Sequence, residues 1–117
     1  MSEKVITYAE ALHDALQLEM RNDPNVFILG EDMGKYGGIF GVSKGLLDEF
    51  GPERVRDTPI SESGIMGLSL GAAQMGLRPV PEIMFGDFLA ECFDYLLNQA
   101  PKVRFMCGGQ VEKLPLV

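Results

Sequence analysis

The chain has 117 residues, enough for one compact domain, and its 46% hydrophobic and 23% charged residues are an ordinary globular balance. Its formal charge is −7, with no basic cluster. That argues against nucleic acid and anionic membrane surfaces as partners.

From Thr7 the pattern is helical. Thr7 and Glu10 form an S/T-x-x-E capping box. Ala9, Leu12, Leu16 and Met20 make an apolar stripe, opposite a polar face of Glu10, Asp14, Gln17 and Arg21. His13 shares that polar face and reads as solvated. "RNDPN" ends the helix. "VFILG", Val26 to Gly30, is wholly apolar, as expected for a strand buried on both faces. "EDMGKYGGIFG" is a glycine-rich loop of functional length. "SKGLLDEFG" reads as a short helix stopped by Gly51. "RVRD" is a short strand and Thr58-Pro59 a turn.

A second long helix is predicted from about Ser61 to Gly76, then a strand over "RPVPEIMF" with its two prolines at the strand entrance. A third helix is expected from Asp87 to about Gln99, with Phe88, Cys92, Tyr95 and Leu96 on one side and Pro101 kinking or ending it. "CGG" is a turn, and "LPLV" reads as the start of a further strand. The alternation of strands and helices predicts an α/β fold with a mainly parallel sheet flanked by helices. Ligands of such sheets sit beyond the carboxyl ends of the strands. Glu31, Glu62 and Gly86-Asp87-Phe88 are expected there, each following a predicted strand.

The residues alone leave several roles open. Glu62, in the first turn of a helix, either complements the helix dipole, worth about 0.3–1 kcal/mol, or shares a proton with a ring nitrogen. Gly64, Gly67 and Gly71 fall on one helical face, although each costs about 1 kcal/mol relative to alanine. Such a face permits close approach, either of the chain's own sheet or of a second subunit. Glu31 is a solvated loop acid or a site acid, and Phe88 a core or a site aromatic. Asp87 and Asn98 do not make a Mg²⁺-diphosphate motif, because "GDF" is not "GDG". "GGIFG" is neither GxGxxG nor a Walker loop, and there is no GxSxG elbow or metal-ligand cluster. Cys92 and Cys107 form no CxxC and suggest reduced thiols in an intracellular compartment. No apolar run reaches membrane-spanning length. The start "MSEKVITYAEAL" has neither a basic nor an apolar leader region, so a cytoplasmic location is expected.

"VFILGEDMGKYGGIFGVSKGL", "ERVRDTPISESGIMGLSLGAAQMGLRPVPEIMF" and "DFLAECFDYLLNQAPKVRFMCGG", in this order and spacing, resemble the β subunit of thiamine diphosphate-dependent 2-oxoacid dehydrogenases. The resemblance runs from Ile6 to Val117. It is to the amino-terminal part of a transketolase-like pyrimidine-binding domain, so residues 1–117 are expected to form that part, with the remainder of the family chain absent from it.

The resemblance implies roles residue by residue. Glu62 matches the glutamate of the family's "PISE" motif, which hydrogen-bonds N1′ of the cofactor's aminopyrimidine and serves as a proton relay. Glu31 matches an acid near the active-site entrance, in an acidic network linking paired sites. Phe88 matches an aromatic that contacts the pyrimidine ring, and Ile60 lies in that ring's neighbourhood. The implied cofactor is thiamine diphosphate, its Mg²⁺ and diphosphate held by a partner α subunit. The implied assembly is a heterotetramer of two α and two β subunits that passes an acyl group to a lipoyl-bearing acyltransferase. Pro101 departs from the family's usual alanine, which bears on the helix end rather than on Glu62.

For the substrate, "EIMFGDF…NQAPKVRFMCGG" leans toward acetoin dehydrogenases, and "GEDMGKYGGIFGVSKGL" fits pyruvate or branched-chain 2-oxo acids equally. Pyruvate and acetoin types stand close together, with branched-chain third. Two other classes compete: a non-catalytic assembly fragment of the same fold, and a flavodoxin-like binding domain. The latter needs a phosphate-binding loop after the first strand, where this chain places two acids.

Overall fold

Residues 5–117 are described by a computed structural model of the protein. Helix α1 spans Tyr8–Asn22. Its capping box forms as the spacing predicts: the Glu10 carboxylate accepts from Thr7 N–H at 2.7 Å, and Glu10 N–H donates to Thr7 Oγ1 at 3.2 Å. Met20 is fully buried, Ala9 and Leu16 are half-buried, and Leu12 is exposed. The apolar stripe therefore meets the sheet at its carboxyl end. The polar face is not merely solvated, since Gln17 Nε2 and Arg21 Nε both donate to Glu49, at 2.7 and 2.5 Å. His13 departs from its expected solvated place. It is half-buried, with Nδ1 2.8 Å from Val42 O, because the glycine-rich loop folds back over that side of α1.

Strand β1 (Val26–Gly30) is buried at every residue and is the middle strand of the sheet. The described residues form a parallel three-stranded sheet in the order β2-β1-β3, with β2 at Val55–Asp57 and β3 at Arg78–Pro81. Val26 and Ile28 pack on one face with Met20, Met33, Leu46 and Val55. Phe27 and Leu29 pack on the other with Ile65. Two-sided burial is why "VFILG" carries no polar alternation. Helix α2 (Leu46–Phe50) starts later than the Ser43 of the sequence reading. Ser43 is instead buried, donating to Met33 O at 2.6 Å. Gly51 ends the helix at φ 79°, as its position predicts.

The prolines of β3 are inside the strand, not at its entrance. Arg78 N–H donates to Asn25 O and Glu82 N–H to Leu29 O. The residues between them, Pro79 and Pro81, therefore turn their nitrogens to the free edge, where a missing N–H costs no ladder bond. The strand ends at Pro81 rather than Phe85, because its neighbour β1 ends at Gly30. The same edge explains why "LPLV" forms no strand. It offers carbonyl oxygens but no N–H at those two positions, and Val117 N–H reaches only Pro79 O, at 3.4 Å.

Helix α3 (Glu62–Gln74) lies on the Phe27/Leu29 face of the sheet and buries Ile65, Met66, Ser69, Leu70 and Ala73. The predicted third helix is instead a 3-10 segment, Gly86–Cys92, followed by a π-helical segment, Asp94–Gln99, and the short helix α4, Val103–Met106. Pro101 has no N–H and its ring would clash with the preceding turn, so α-helical bonding cannot continue through it. The chain widens first, with Ala100 N–H reaching Tyr95 O at 2.8 Å.

Candidate functional site

The site is built at the carboxyl end of the parallel sheet. Glu31 follows the last residue of β1 and is half-buried. Its loop is pinned rather than loose: Asp32 O accepts from Gly38 N–H at 2.8 Å, Met33 O from Ser43 Oγ, and Asp57 Oδ1 from Gly34 N–H at 2.6 Å. Asp32 takes a positive φ of 54° at the turn. Gly37 has φ 83° and would put a Cβ 2.8 Å from Lys44 Cα, so only glycine fits there.

The β2–α3 connection runs beside this loop. Thr58 N–H donates to Gly30 O at 2.9 Å, which fixes the start of the turn. Ile60 then stands 82% exposed on the rim, and Glu62 is the first residue of α3, half-buried. Glu31 and Glu62 meet electrostatically. Burial pushes the Glu31 carboxyl above the usual carboxylate range, and the charges of Glu62 and then Asp32 push it the same way.

The third wall is aromatic. Ser63 Oγ donates to Glu91 O at 2.5 Å, tying the segment that carries Phe88 to the first turn of α3. Phe88 is 42% exposed and packs edge-to-face on Phe85, with centroids 5.7 Å apart. Phe85 packs the same way on Phe40 of the glycine-rich loop, at 6.3 Å. Cys92, behind this wall, is fully buried. Burial raises its thiol, and the charges of Glu62 and Glu91 add to the shift.

The fold thus places Glu31 within the electrostatic reach of Glu62 and ties the Phe88 segment to the helix that starts with Glu62. Sequence reasoning missed Phe40, Phe85 and Asp57. The signals for them were an aromatic inside a glycine loop, an aromatic just past a strand, and an acid closing a strand. The glycine face of α3 resolves into three environments. A Cβ on Gly67 would lie 2.9 Å from the Tyr95 hydroxyl, so the close neighbour is the chain's own π-helical segment. On Gly64 it would meet Ser61, and on Gly71 nothing within 4 Å. Among the described residues no group of three or more His, Cys, Asp or Glu could hold a metal ion. No helix among them is long and apolar enough to cross a membrane.

A parallel sheet flanked by helices, with acids and aromatic rings following its strands, defines an α/β domain of the kind whose ligands sit at the carboxyl edge. The chain belongs to the family described as transketolase, pyrimidine binding domain, which residues 4–116 match. It is similar to the pyruvate dehydrogenase E1 component subunit beta of Rickettsia conorii, 51% identical over 96% of this chain and 34% of that protein. It is also similar to the mitochondrial pyruvate dehydrogenase E1 component subunit beta-2 of Oryza sativa subsp. japonica, 49% identical over 97% of this chain and 30% of that one. A third relative is the acetoin:2,6-dichlorophenolindophenol oxidoreductase subunit beta of Bacillus subtilis, 46% identical over 93% of this chain and 35% of that one. The chain spans about a third of the length of these relatives.

Proposed function

We propose that the chain supplies the pyrimidine-binding part of the β subunit of a thiamine diphosphate-dependent 2-oxoacid dehydrogenase. The observation that carries this reading is the match of residues 4–116 to the pyrimidine-binding family, in a chain whose Glu31 and Glu62 each follow a strand of the parallel sheet. The residues fit an aminopyrimidine. Glu62 offers a half-buried carboxylate to a ring nitrogen, and Phe88 and Ile60 offer exposed apolar surface to a flat ring. When bound, thiamine diphosphate supplies the electron sink that lets a 2-oxo acid lose carbon dioxide.

The chain's own residues have three tasks in this reading. Glu62 holds the proton it shares with ring nitrogen N1′, as a general acid–base group. Glu31, whose carboxyl is raised by burial and by the charges of Glu62 and Asp32, is an acid at the site entrance. Phe88 and Ile60 orient the ring and exclude water from its faces. The Mg²⁺ and diphosphate fall to a partner α subunit, in an assembly of two α and two β chains that hands an acyl group to a lipoyl-bearing acyltransferase. Pyruvate is the favoured substrate. Acetoin is the second reading, carried by the 46% identity to the Bacillus subtilis subunit. The two free thiols, Cys92 and Cys107, suit a reducing compartment such as the cytoplasm.

The test is a steady-state assay of the complete α/β complex with pyruvate, acetoin and branched 2-oxo acids, with and without thiamine diphosphate. Cofactor-dependent turnover of one of them is expected, and none from the 117-residue chain alone. A complex that neither binds the cofactor nor turns over any of these substrates would overturn the reading.

A further inference from the structure

Glu31 sits in a loop and Glu62 opens a helix, and the effect of the Glu62 charge on Glu31 depends on how far apart the two are held. What sets it is a contact that neither residue makes. Asp57 is the last residue of β2 and pairs in register with Gly30, the last residue of β1. From there its side chain reaches over the loop: Oδ1 accepts the Gly34 N–H at 2.6 Å in a partly buried setting. Backbone pairing at Gly30 and the side-chain bond at Gly34 thus bracket Glu31, Asp32 and Met33 from both ends. The fit is close, since a Cβ on Gly34 would lie 2.9 Å from Asp57 Oδ2 and 3.3 Å from Oδ1.

Two further anchors, at Asp32 O and Met33 O, come from the glycine-rich loop itself and the residues just after it, from Gly38 and Ser43. Asp57 differs from them in belonging to the strand that leads, five residues on, to Glu62. It is the side chain that ties the Glu31 loop to the β2–α3 connection.

We propose that Asp57 is a positioning residue that sets the distance between the Glu31 and Glu62 carboxylates through its hydrogen bond to Gly34. Asp57 touches neither ring nor substrate in this role and acts through Glu31. The inference deepens the proposed use of the site, but its main test does not depend on thiamine chemistry.

The test is a carboxyl ¹³C NMR titration of Glu31 in the intact chain, with and without Glu62→Gln. In the parent, neutralising residue 62 lowers the Glu31 midpoint. In Asp57→Ala that response is expected to shrink by roughly half or more, as the coupling of two sites falls when they separate. Amide exchange in residues 31–38 is expected to rise about tenfold as the loop opens. Asp57→Asn keeps an oxygen acceptor for Gly34 N–H and is expected to restore both, which a purely charge-based role would not. Gly34→Ala, which displaces the same contact from the other side, is expected to reproduce Asp57→Ala and serves if that variant fails to fold. An unchanged Glu31 response in a folded Asp57→Ala or Gly34→Ala chain overturns the proposal. In the assembled enzyme, the kcat losses of Asp57→Ala and Glu31→Gln should be non-additive, whereas additive losses count against action through Glu31. If the NMR response behaves as expected and the complex shows no thiamine dependence, the positioning role stands and the proposed function falls.

Discussion

Glu31 follows β1 and Glu62 opens α3, both beyond the carboxyl edge of the sheet, and the charge of Glu62 adds to the burial that raises the Glu31 carboxyl above its ordinary range. Each is placed by a separate strand, Glu31 by β1 and Glu62 by the connection after β2. If Glu62 is the proton-sharing acid, Glu62→Gln keeps a hydrogen bond but cannot relay a proton. Turnover of the assembled enzyme should fall at least about 100-fold, in line with loss of a general acid–base group. Near wild-type kcat in that variant would remove Glu62 from the chemistry and leave it a dipole acid.

Gly67 and Gly71 share a face of α3 but differ in what lies over them. Gly71→Ala meets open space and should stabilise the chain by up to about 1 kcal/mol, the helix propensity difference. Gly67→Ala must displace Tyr95, so the same propensity gain is offset and the melting temperature should fall. Thermal unfolding of the two variants checks the contrast. Equal stabilisation by both would show that Tyr95 does not pack where the structure puts it.

Ser43 buries its hydroxyl against Met33 O at 2.6 Å. In Ser43→Ala that carbonyl loses a buried donor, at a cost of about 1–3 kcal/mol. Denaturant unfolding should show the loss as a lower midpoint with an unchanged slope. The loop bearing Glu31 should also exchange its amides faster, because Met33 is one of its anchors.

Glu82 lies at the end of β3, and burial raises its carboxyl from the ordinary glutamate value. One of its oxygens, Oε1, is buried with no hydrogen-bond partner among the described residues. A raised folded-state value means that the folded chain holds this proton more tightly than the unfolded chain. Its contribution therefore favours folding at low pH. That advantage is lost as pH rises from the unfolded value, near 4.5, through the raised folded one. Glu82→Gln removes that slope and should stabilise the chain at pH 7 by up to about 1 kcal/mol, discounted because the group is only half-buried. Stability curves of both chains across pH 4–8, compared at matched salt, would expose an identical slope if Glu82 is not its source.

Much of the fold was legible because its signals are local. The Thr7–Glu10 box, the unbroken run at Val26–Gly30, the stop at Gly51 and the helix opening at Glu62 are each encoded within a few residues, and each is where the sequence places it. The failures share a different cause. The two prolines of β3 looked like a strand entrance, but their acceptability depends on which edge is free, a property of strand order. The stretch Asp87–Gln99 has helical periodicity, yet periodicity does not choose among 3-10, α and π hydrogen bonding near a proline. His13 looked solvated because a helix face says nothing of the loop that folds across it.

The sequence by itself determined an α/β chain in which Glu31, Glu62 and Phe88 each follow a strand, and a resemblance that the pyrimidine-binding family match bears out. Only the tertiary structure decided that the charge of Glu62 acts on Glu31, that Phe40 and Phe85 extend the aromatic wall, and that Asp57 bridges from β2 to the Glu31 loop. The physical reason is range. Capping, apolar runs and turn residues act within a few positions of the chain. The separation of two carboxylates is set by strand order, register and a hydrogen bond between residues 34 and 57, which no local pattern encodes.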